Sequence, residues 1–201
     1  MPDFDQNQFG PDSSALCAPT AVANCLWWYD AVPEGMNPAD LIRLLCDYFH
    51  TDPDSGTYVD SIQSGLDRYF KDYGFNLYEN TFEQPYFEEM EDSLKRSQDI
   101  ILFLSFWQYI DEQWQCFGGH AVTMAGVCSE SLKVALSDPG RDAAVGGWPG
   151  IVKPPEHPAP GTYPPTLHND STYVSHDMYA SDTISPSPGN PHWQLLDYLQ
   201  G

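Results

Sequence analysis

The chain has 201 residues, with 8 lysines and arginines against 29 aspartates and glutamates, which gives a formal net charge of −21. This charge argues against a nucleic-acid binder, because phosphate contacts need clustered basic side chains, and against binding to an anionic membrane surface. Hydrophobic residues make up 41% of the chain, enough apolar surface for one domain with a core. No apolar run reaches the roughly 20 residues of a membrane span, and the first residues lack the pattern of a signal peptide.

The distribution of proline divides the chain near residue 139. Of the 18 prolines, 11 lie between Pro139 and Pro191. Residues 1–138 alternate between helical and strand-like patterns, whereas the rest has the composition of loops with a few short extended pieces such as 172–180. We therefore expect one domain over residues 1–201, with a regular framework in 1–140 and a Pro-rich extension in 141–201 packed on it.

Four segments have the apolar spacing of helices, and all of them precede the strand-like segments. They are residues 17–30, 38–49, 58–72 and 86–97. In the first segment Pro19 falls in the opening turn, where proline is tolerated. Ser13 and Ser14 lie just upstream, so a capping side chain is available for this helix.

Three strand-like segments follow the helices, at residues 100–107, 120–127 and 132–138. The last one alternates apolar and polar residues and ends at a turn that begins with Asp138 and Pro139. Consecutive strands with short connections form an antiparallel meander. Helices first and a meander afterwards predict the α+β fold class rather than a doubly wound parallel sheet.

Three residues combine a reactive side chain with a suitable placement. Cys17 begins the first predicted helix, where backbone N–H groups and the helix dipole stabilise a thiolate, which is the nucleophilic form. His120 begins a predicted strand directly after two glycines, whose small size leaves room for a substrate chain. Asp138 ends the next strand, and its carboxylate can lie beside His120 if the two strands are neighbours. Such residues supply a nucleophile, a base and a group that orients the base.

An attack on a carbonyl carbon also needs donors for the oxyanion that develops. These usually come from the backbone N–H of the nucleophile and from a side-chain amide upstream of it. Gln6 and Gln8 are the two candidates for that amide.

The order of these residues resembles that of papain-like cysteine peptidases, and within them the branch related to bacteriocin-leader, or double-glycine, peptidases. The matching pieces are Phe4-Asp5-Gln6, Cys17-Ala18-Pro19-Thr20-Ala21, Gly119-His120-Ala121-Val122 and Ser137-Asp138-Pro139-Gly140. In the family an aromatic residue stands two positions before the glutamine, which favours Gln6 over Gln8. The resemblance covers the framework of residues 4–140.

The resemblance implies a papain-like fold in which the Cys17 helix packs against the antiparallel sheet and the cleft runs between them. The extension would wrap the sheet or cover the cleft. The implied activity is hydrolysis of peptide bonds in a peptide or protein substrate, through a thioester at Cys17 and a triad with His120 and Asp138. No metal and no cofactor is implied. The few basic residues and many Tyr, Trp and Pro indicate a secreted or cell-surface protein.

Two alternatives use the same fold. A transglutaminase-like acyltransferase would employ the same three residues with an amine as acceptor, and a non-catalytic binding module would not turn over at all.

The other four cysteines are predicted to be small buried side chains: Cys25, Cys46, Cys116 and Cys128. No C-x-x-C pair occurs, which argues against a zinc ribbon or a redox dithiol.

Overall fold

The α-helices lie in the first half of the chain, and all but one of the described strands follow them. The computed structural model describes residues 2, 4–9, 11–82, 85–128, 133–140, 177–180 and 195–200. Two short 3-10 helices, Gln6–Phe9 and Pro11–Ala15, precede the first α-helix. The elements that follow are α1 (Cys17–Trp28), α2 (Pro38–Phe49), α3 (Val59–Tyr73), β1 (Asn80–Phe82), α4 (Phe87–Lys95), β2 (Ile100–Ile110), β3 (Gln113–Cys128), β4 (Lys133–Ser137), β5 (Asp177–Ala180) and β6 (Leu195–Gln200).

All four predicted helices are present, and local signals set their ends. At α2 the Asn37 side chain accepts a hydrogen bond of 2.9 Å from the Asp40 N–H, and Pro38 occupies the first turn. At α3 the chain leaves the helix through Gly74 at a φ of 73°, a left-handed conformation that glycine adopts without steric cost.

The start of α1 differs from the prediction, since neither Ser13 nor Ser14 caps it. The residue before the helix is Leu16, and no side chain caps the first turn. The Leu16 N–H instead donates to the Ser13 carbonyl oxygen at 3.0 Å. The first-turn N–H groups of a helix have no acceptor within the helix, so this uncapped end offers donors to other groups.

The strands form one antiparallel sheet in the order β1-β6-β2-β3-β4-β5. The predicted meander is confirmed, because β3 pairs with both β2 and β4. The Pro-rich extension contributes two strands to the other three pairings: β5 lies beside β4, and β6 lies between β1 and β2. Only residues 177–180 of the predicted extended piece 172–180 belong to the part of the chain that the structure describes.

Successive residues of a β-strand point to opposite faces of the sheet, so the two faces of this sheet pack against different helices. Ile101 and Phe103 of β2 pack with α1, α2 and α3 in one apolar core, whereas Ile100 and Leu102 pack with α4 in a second core. Helix α1 is buried almost all round, since residues 18–26 are all buried. The helix that begins at Cys17 is therefore fixed between the sheet and the other helices. None of the described helices is long and apolar enough to cross a membrane.

Candidate active site

Cys17 is the first residue of α1, and its thiol contacts the middle of β3, where His120 lies rather than at the strand start that the sequence predicted. The side chain is half-buried and interacts with His120 and with the backbone of Ala121 and Ala18. Burial alone would raise the pKa of the Cys17 thiol, because it disfavours the charged form. The hydrogen bond and positive charge of His120, together with the two backbone groups, outweigh burial and lower the pKa below its ordinary value. The site therefore favours the thiolate.

The pairing of β3 with β4 brings His120 and Asp138 together. Thr123 pairs with Ser137, so Asp138, the next residue, comes level with Val122 and close to the side chain of His120. His120 Nε2 lies 2.5 Å from Asp138 Oδ1, and Asp138 is buried. The imidazole and the carboxylate thus form a short, charge-assisted hydrogen bond. Since Nε2 is occupied by Asp138, the contact with Cys17 falls to the other ring nitrogen, Nδ1.

Gly140 holds the Asp138 carboxylate from the side of the turn. Its backbone N–H donates to Asp138 Oδ1 at 2.9 Å, so this oxygen receives hydrogen bonds from both Gly140 and His120. A Cβ on Gly140 would lie 3.3 Å from His120 Cε1 and 3.5 Å from Asp138 Oδ1. The absence of a side chain at this position is what allows the turn to approach the imidazole.

His120 lies between a thiol and a carboxylate, and this position raises its pKa. Burial would lower the pKa of the imidazole, but hydrogen bonds and negative charge from Asp138 and Cys17 outweigh it. The pKa shifts of Cys17 and His120 thus have opposite signs. Both favour a thiolate next to an imidazolium, which is the arrangement that activates a cysteine nucleophile.

Gln6 is buried and hydrogen-bonded both to the turn after Asp138 and to the segment before Cys17. Its backbone N–H donates to the Pro139 carbonyl oxygen at 2.8 Å, directly after Asp138. Its side-chain Nε2 donates to the Ser13 carbonyl oxygen at 3.0 Å, shortly before Cys17. A carboxamide nitrogen carries two hydrogens, so one donor remains after the Ser13 contact. The backbone of Gln8 lies in the same 3-10 helix, while its side chain lies outside the described part of the chain.

Asn24 is a site-organising residue that sequence reasoning missed. It is fully buried in α1, where its Oδ1 accepts a hydrogen bond of 3.0 Å from the Phe4 N–H. Its Nδ2 donates to the Ser137 hydroxyl at 3.2 Å. One side chain thus joins the Cys17 helix to the segment carrying Gln6 and to the strand before Asp138. The sequence offered one signal for this role, which is a polar residue within the apolar pattern of a buried helix.

The geometry brings together a nucleophile, a base and an orienting acid, together with helix N–H groups at the nucleophile. This is the set of groups that acyl transfer through a thioester needs. Among the described residues no group of three or more His, Cys, Asp or Glu side chains could hold a metal ion.

The other cysteines differ from the expectation that all of them are buried. Cys25 is buried and Cys46 is half-buried, but Cys116 is exposed, so that prediction is wrong at Cys116. Cys116 lies in the outer part of the long β2–β3 hairpin, which extends past the predicted strand ends. The Cys128 side chain lies outside the described residues.

No protein-family model matches the chain, and no curated protein sequence matches it. Among solved structures, it is similar to a candidate C39-like peptidase from Bacillus anthracis, at 12% sequence identity and a TM-score of 0.48. The likeness covers 93% of this chain and 88% of the other. At this identity and TM-score the likeness supports no inference about activity. Such an inference rests on the geometry of the site.

Proposed function

We propose that this chain is a papain-like cysteine peptidase, in which Cys17, His120 and Asp138 hydrolyse peptide bonds of a peptide or protein substrate. The observation that carries the proposal is the chain of contacts from the Cys17 thiol through the His120 ring to Asp138 Oδ1. The three residues come from a helix start, a strand and a turn, so sequence neighbourhood does not explain their convergence. Structural cysteines are usually inert and buried in apolar surroundings, whereas this thiol is half-buried beside an imidazole.

In the first half of the reaction the Cys17 thiolate attacks the carbonyl carbon of the scissile bond. The C–S bond forms and the carbonyl π pair moves to oxygen, where the uncapped N–H groups of α1 and the remaining Gln6 amide hydrogen are the proposed donors. As the tetrahedral intermediate collapses, the C–N bond breaks. The His120 imidazolium gives its proton to the leaving amine, which leaves an acyl group on sulfur.

In the second half a water molecule replaces the amine. His120, now neutral, takes a proton from the water as its oxygen attacks the thioester carbonyl. The C–S bond breaks, a carboxylic acid leaves, and the thiolate–imidazolium pair is restored. Throughout both halves Asp138 accepts the hydrogen bond from Nε2, which fixes the ring orientation and keeps Nδ1 directed at sulfur.

The decisive experiment follows new peptide termini in a library of peptides derived from digested protein. The wild-type chain should generate new amino termini, and Cys17→Ala should generate none while retaining its fold by circular dichroism. Cys116→Ala is the matched control, because it removes another free cysteine that is exposed and lies four residues before His120 on β3. Cleavage that persists in Cys17→Ala would refute the proposal.

The two alternatives have different signatures in the same assay. If adding a primary amine diverts the products to amides, the chain is an acyltransferase of the transglutaminase type. If a peptidyl epoxide labels Cys17 no faster than Cys116, and labelling does not change in His120→Ala, the chain is a binding module without turnover.

A further inference from the structure

A cavity lies at the other end of α1, away from the candidate active site. The lining residues that matter here are Cys25, Tyr29, Tyr78, Glu79 and Asp99, among apolar side chains such as Leu66. Cys25 is eight residues after Cys17 on the same helix, a rise of about 12 Å. Asp99 precedes Ile100, which pairs with Met124 on β3, four residues beyond His120. The cavity and the triad are therefore separate sites on the same helix and sheet.

Two carboxyl oxygens in this cavity are buried and lack a partner. Asp99 is only 5% exposed, and its Oδ2 has no hydrogen-bond partner among the described residues. The Oε2 atom of Glu79 is also buried and unpartnered. A buried polar atom without a hydrogen bond destabilises the fold, and more so if it is charged. Two such acceptors in one cavity indicate that the cavity is built to receive a donor.

The backbone around Asp99 is fixed, so its carboxyl group is held in place. The Tyr29 hydroxyl donates to the Ser97 carbonyl oxygen at 2.8 Å and accepts from the Asp99 N–H at 2.9 Å. The Cys25 thiol lies against the Asp99 carboxyl group from α1. These contacts anchor the residue and still leave Oδ2 free.

The remaining surface of the cavity is apolar and aromatic, and its described lining contains no lysine or arginine. The cavity measures about 30 Å³ as the space open to the centre of a water molecule. One water molecule needs about 10–15 Å³ of such space, so the cavity can hold two groups of the size of a water molecule. Tyr78, 64% exposed, lies at the rim, where a longer stem can pass over its ring.

Among cations, an ammonium group on an alkyl stem fits this combination of two acceptors and apolar walls. Calcium and magnesium need six or more oxygen ligands, which this lining does not supply. An ammonium group has three donors and attracts aromatic faces. We propose that this cavity binds a primary ammonium group on an unbranched apolar stem, with Asp99 and Glu79 as its acceptors.

The protonation of these acids supports the assignment. Burial raises the pKa of Asp99 to about 7, against the opposing effect of a hydrogen bond with the Cys25 thiol. Burial, and the neighbouring carboxylate of Asp67, also raise the pKa of Glu79. Both acids therefore retain protons more readily than exposed carboxyls do. A bound ammonium group would favour their ionised forms, so binding should release protons and tighten as the pH rises through 7.

The test is calorimetric titration of the whole chain with n-butylammonium at pH 6 and pH 8, with n-butanol as the neutral comparison. We expect saturable binding of n-butylammonium, tighter at pH 8, and at least tenfold weaker binding in Asp99→Asn and in Glu79→Gln. Asp92→Asn, on the exposed surface of α4, is the matched control and should bind as the wild type does. Since Cys17→Ala keeps the cavity, it should also bind normally, whether or not the chain is a peptidase.

Further ligands identify the source of the ammonium group. Binding of acetyl-lysine methylamide as tight as that of n-butylammonium would indicate a lysine side chain, and weaker binding a free amine. Equal binding of n-butanol would overturn the proposal, because apolar contact alone would then suffice. Displacement of the amine by millimolar Ca²⁺, or unchanged affinity in both Asp99→Asn and Glu79→Gln, would overturn it as well.

Discussion

The Asn24 carboxamide donates a hydrogen bond of 3.2 Å to the Ser137 hydroxyl and so links the Cys17 helix to the strand that precedes Asp138. Because Asn24 also accepts from the Phe4 N–H, three segments of the candidate active site meet at one buried side chain. The relative position of nucleophile and acid thus depends on a residue that touches neither of them.

Replacing Asn24 by alanine should both destabilise the fold and lower activity. The change leaves the Phe4 N–H and the Ser137 hydroxyl with fewer partners in a buried region, at a cost of about 2 to 4 kcal/mol in the free energy of unfolding. Urea unfolding measures that cost, and turnover is measured where the variant remains folded. Asn37→Ala is the control, since it removes an exposed helix cap and should cost about 1 kcal/mol without changing turnover. Equal turnover losses in the two variants would contradict the role given to Asn24.

His120 and Asp138 should contribute to turnover to different extents. His120→Ala removes the proton donor and base, and general acid–base groups contribute about 10²- to 10⁴-fold. Asp138→Asn keeps a polar group near Nε2 but removes the charge, so kcat should fall less than in His120→Ala. Steady-state kinetics on a cleaved peptide measures both. A fully active Asp138→Asn variant would show that Asp138 is not the third member of the triad.

The pH dependence of Cys17 alkylation should follow the opposite pKa shifts of Cys17 and His120. The thiolate forms at the lowered pKa of Cys17, so iodoacetamide should react rapidly at pH values where an ordinary thiol is protonated. In His120→Ala the burial effect is unopposed by the imidazole, and the alkylation profile should move to higher pH. Using a Cys116→Ala background removes the exposed thiol from the signal. If the profile does not move, His120 does not stabilise the thiolate.

Adding a methyl group at Gly140 should disturb the imidazole more than the fold. The new Cβ would lie 3.3 Å from His120 Cε1, so the ring or the turn must shift by a few tenths of an ångström. We expect Gly140→Ala to lower kcat about tenfold, since misplacement of a catalytic group is costly, with little change in melting temperature. Gly74→Ala gives the reverse control: its φ of 73° makes the variant less stable, and turnover should be unchanged.

Asp99 should make the fold less stable as the pH rises. Its pKa is about 7 in the folded chain against an ordinary value of 3.8, so the folded state binds the proton more tightly between these values. The resulting stabilisation is present at pH 4 and is lost as the pH approaches and passes 7, by at most about 4 kcal/mol. The difference in unfolding free energy between wild type and Asp99→Asn, measured from pH 4 to pH 8, isolates this effect. A difference that does not vary with pH would count against it.

The helices and the meander could be predicted because their signals are local. Helical spacing located α2 to its ends, and apolar runs located the strands of Ile100 and His120. The short strands β1 and β6 were missed, since three to six residues carry little periodicity and their pairing is set by contacts distant in sequence. The helix cap was wrongly assigned to a serine because turn geometry, rather than residue type, decided the residue before α1.

For the candidate site, the sequence predicted which residues meet but not what holds them. The order of Cys17, His120 and Asp138, strengthened by a family resemblance, led to contacts that the structure describes. The role of Asn24 depends on the distance between two segments that are more than a hundred residues apart in sequence. The role of Gly140 depends on how closely the turn approaches the His120 ring. Neither has a sequence period or motif that would reveal it.

The position of β6 between β1 and β2 has a consequence for biosynthesis. Residues 195–200 complete the hydrogen bonds of two strands that leave the ribosome far earlier. Until they arrive, the β2 backbone presents an open edge, which favours chaperone binding or association between nascent chains. Maturation should therefore depend on synthesis reaching residues 195–200. A translational pause before residue 195 leaves a nascent chain in which Cys17 and His120 are present but the sheet that supports them is incomplete.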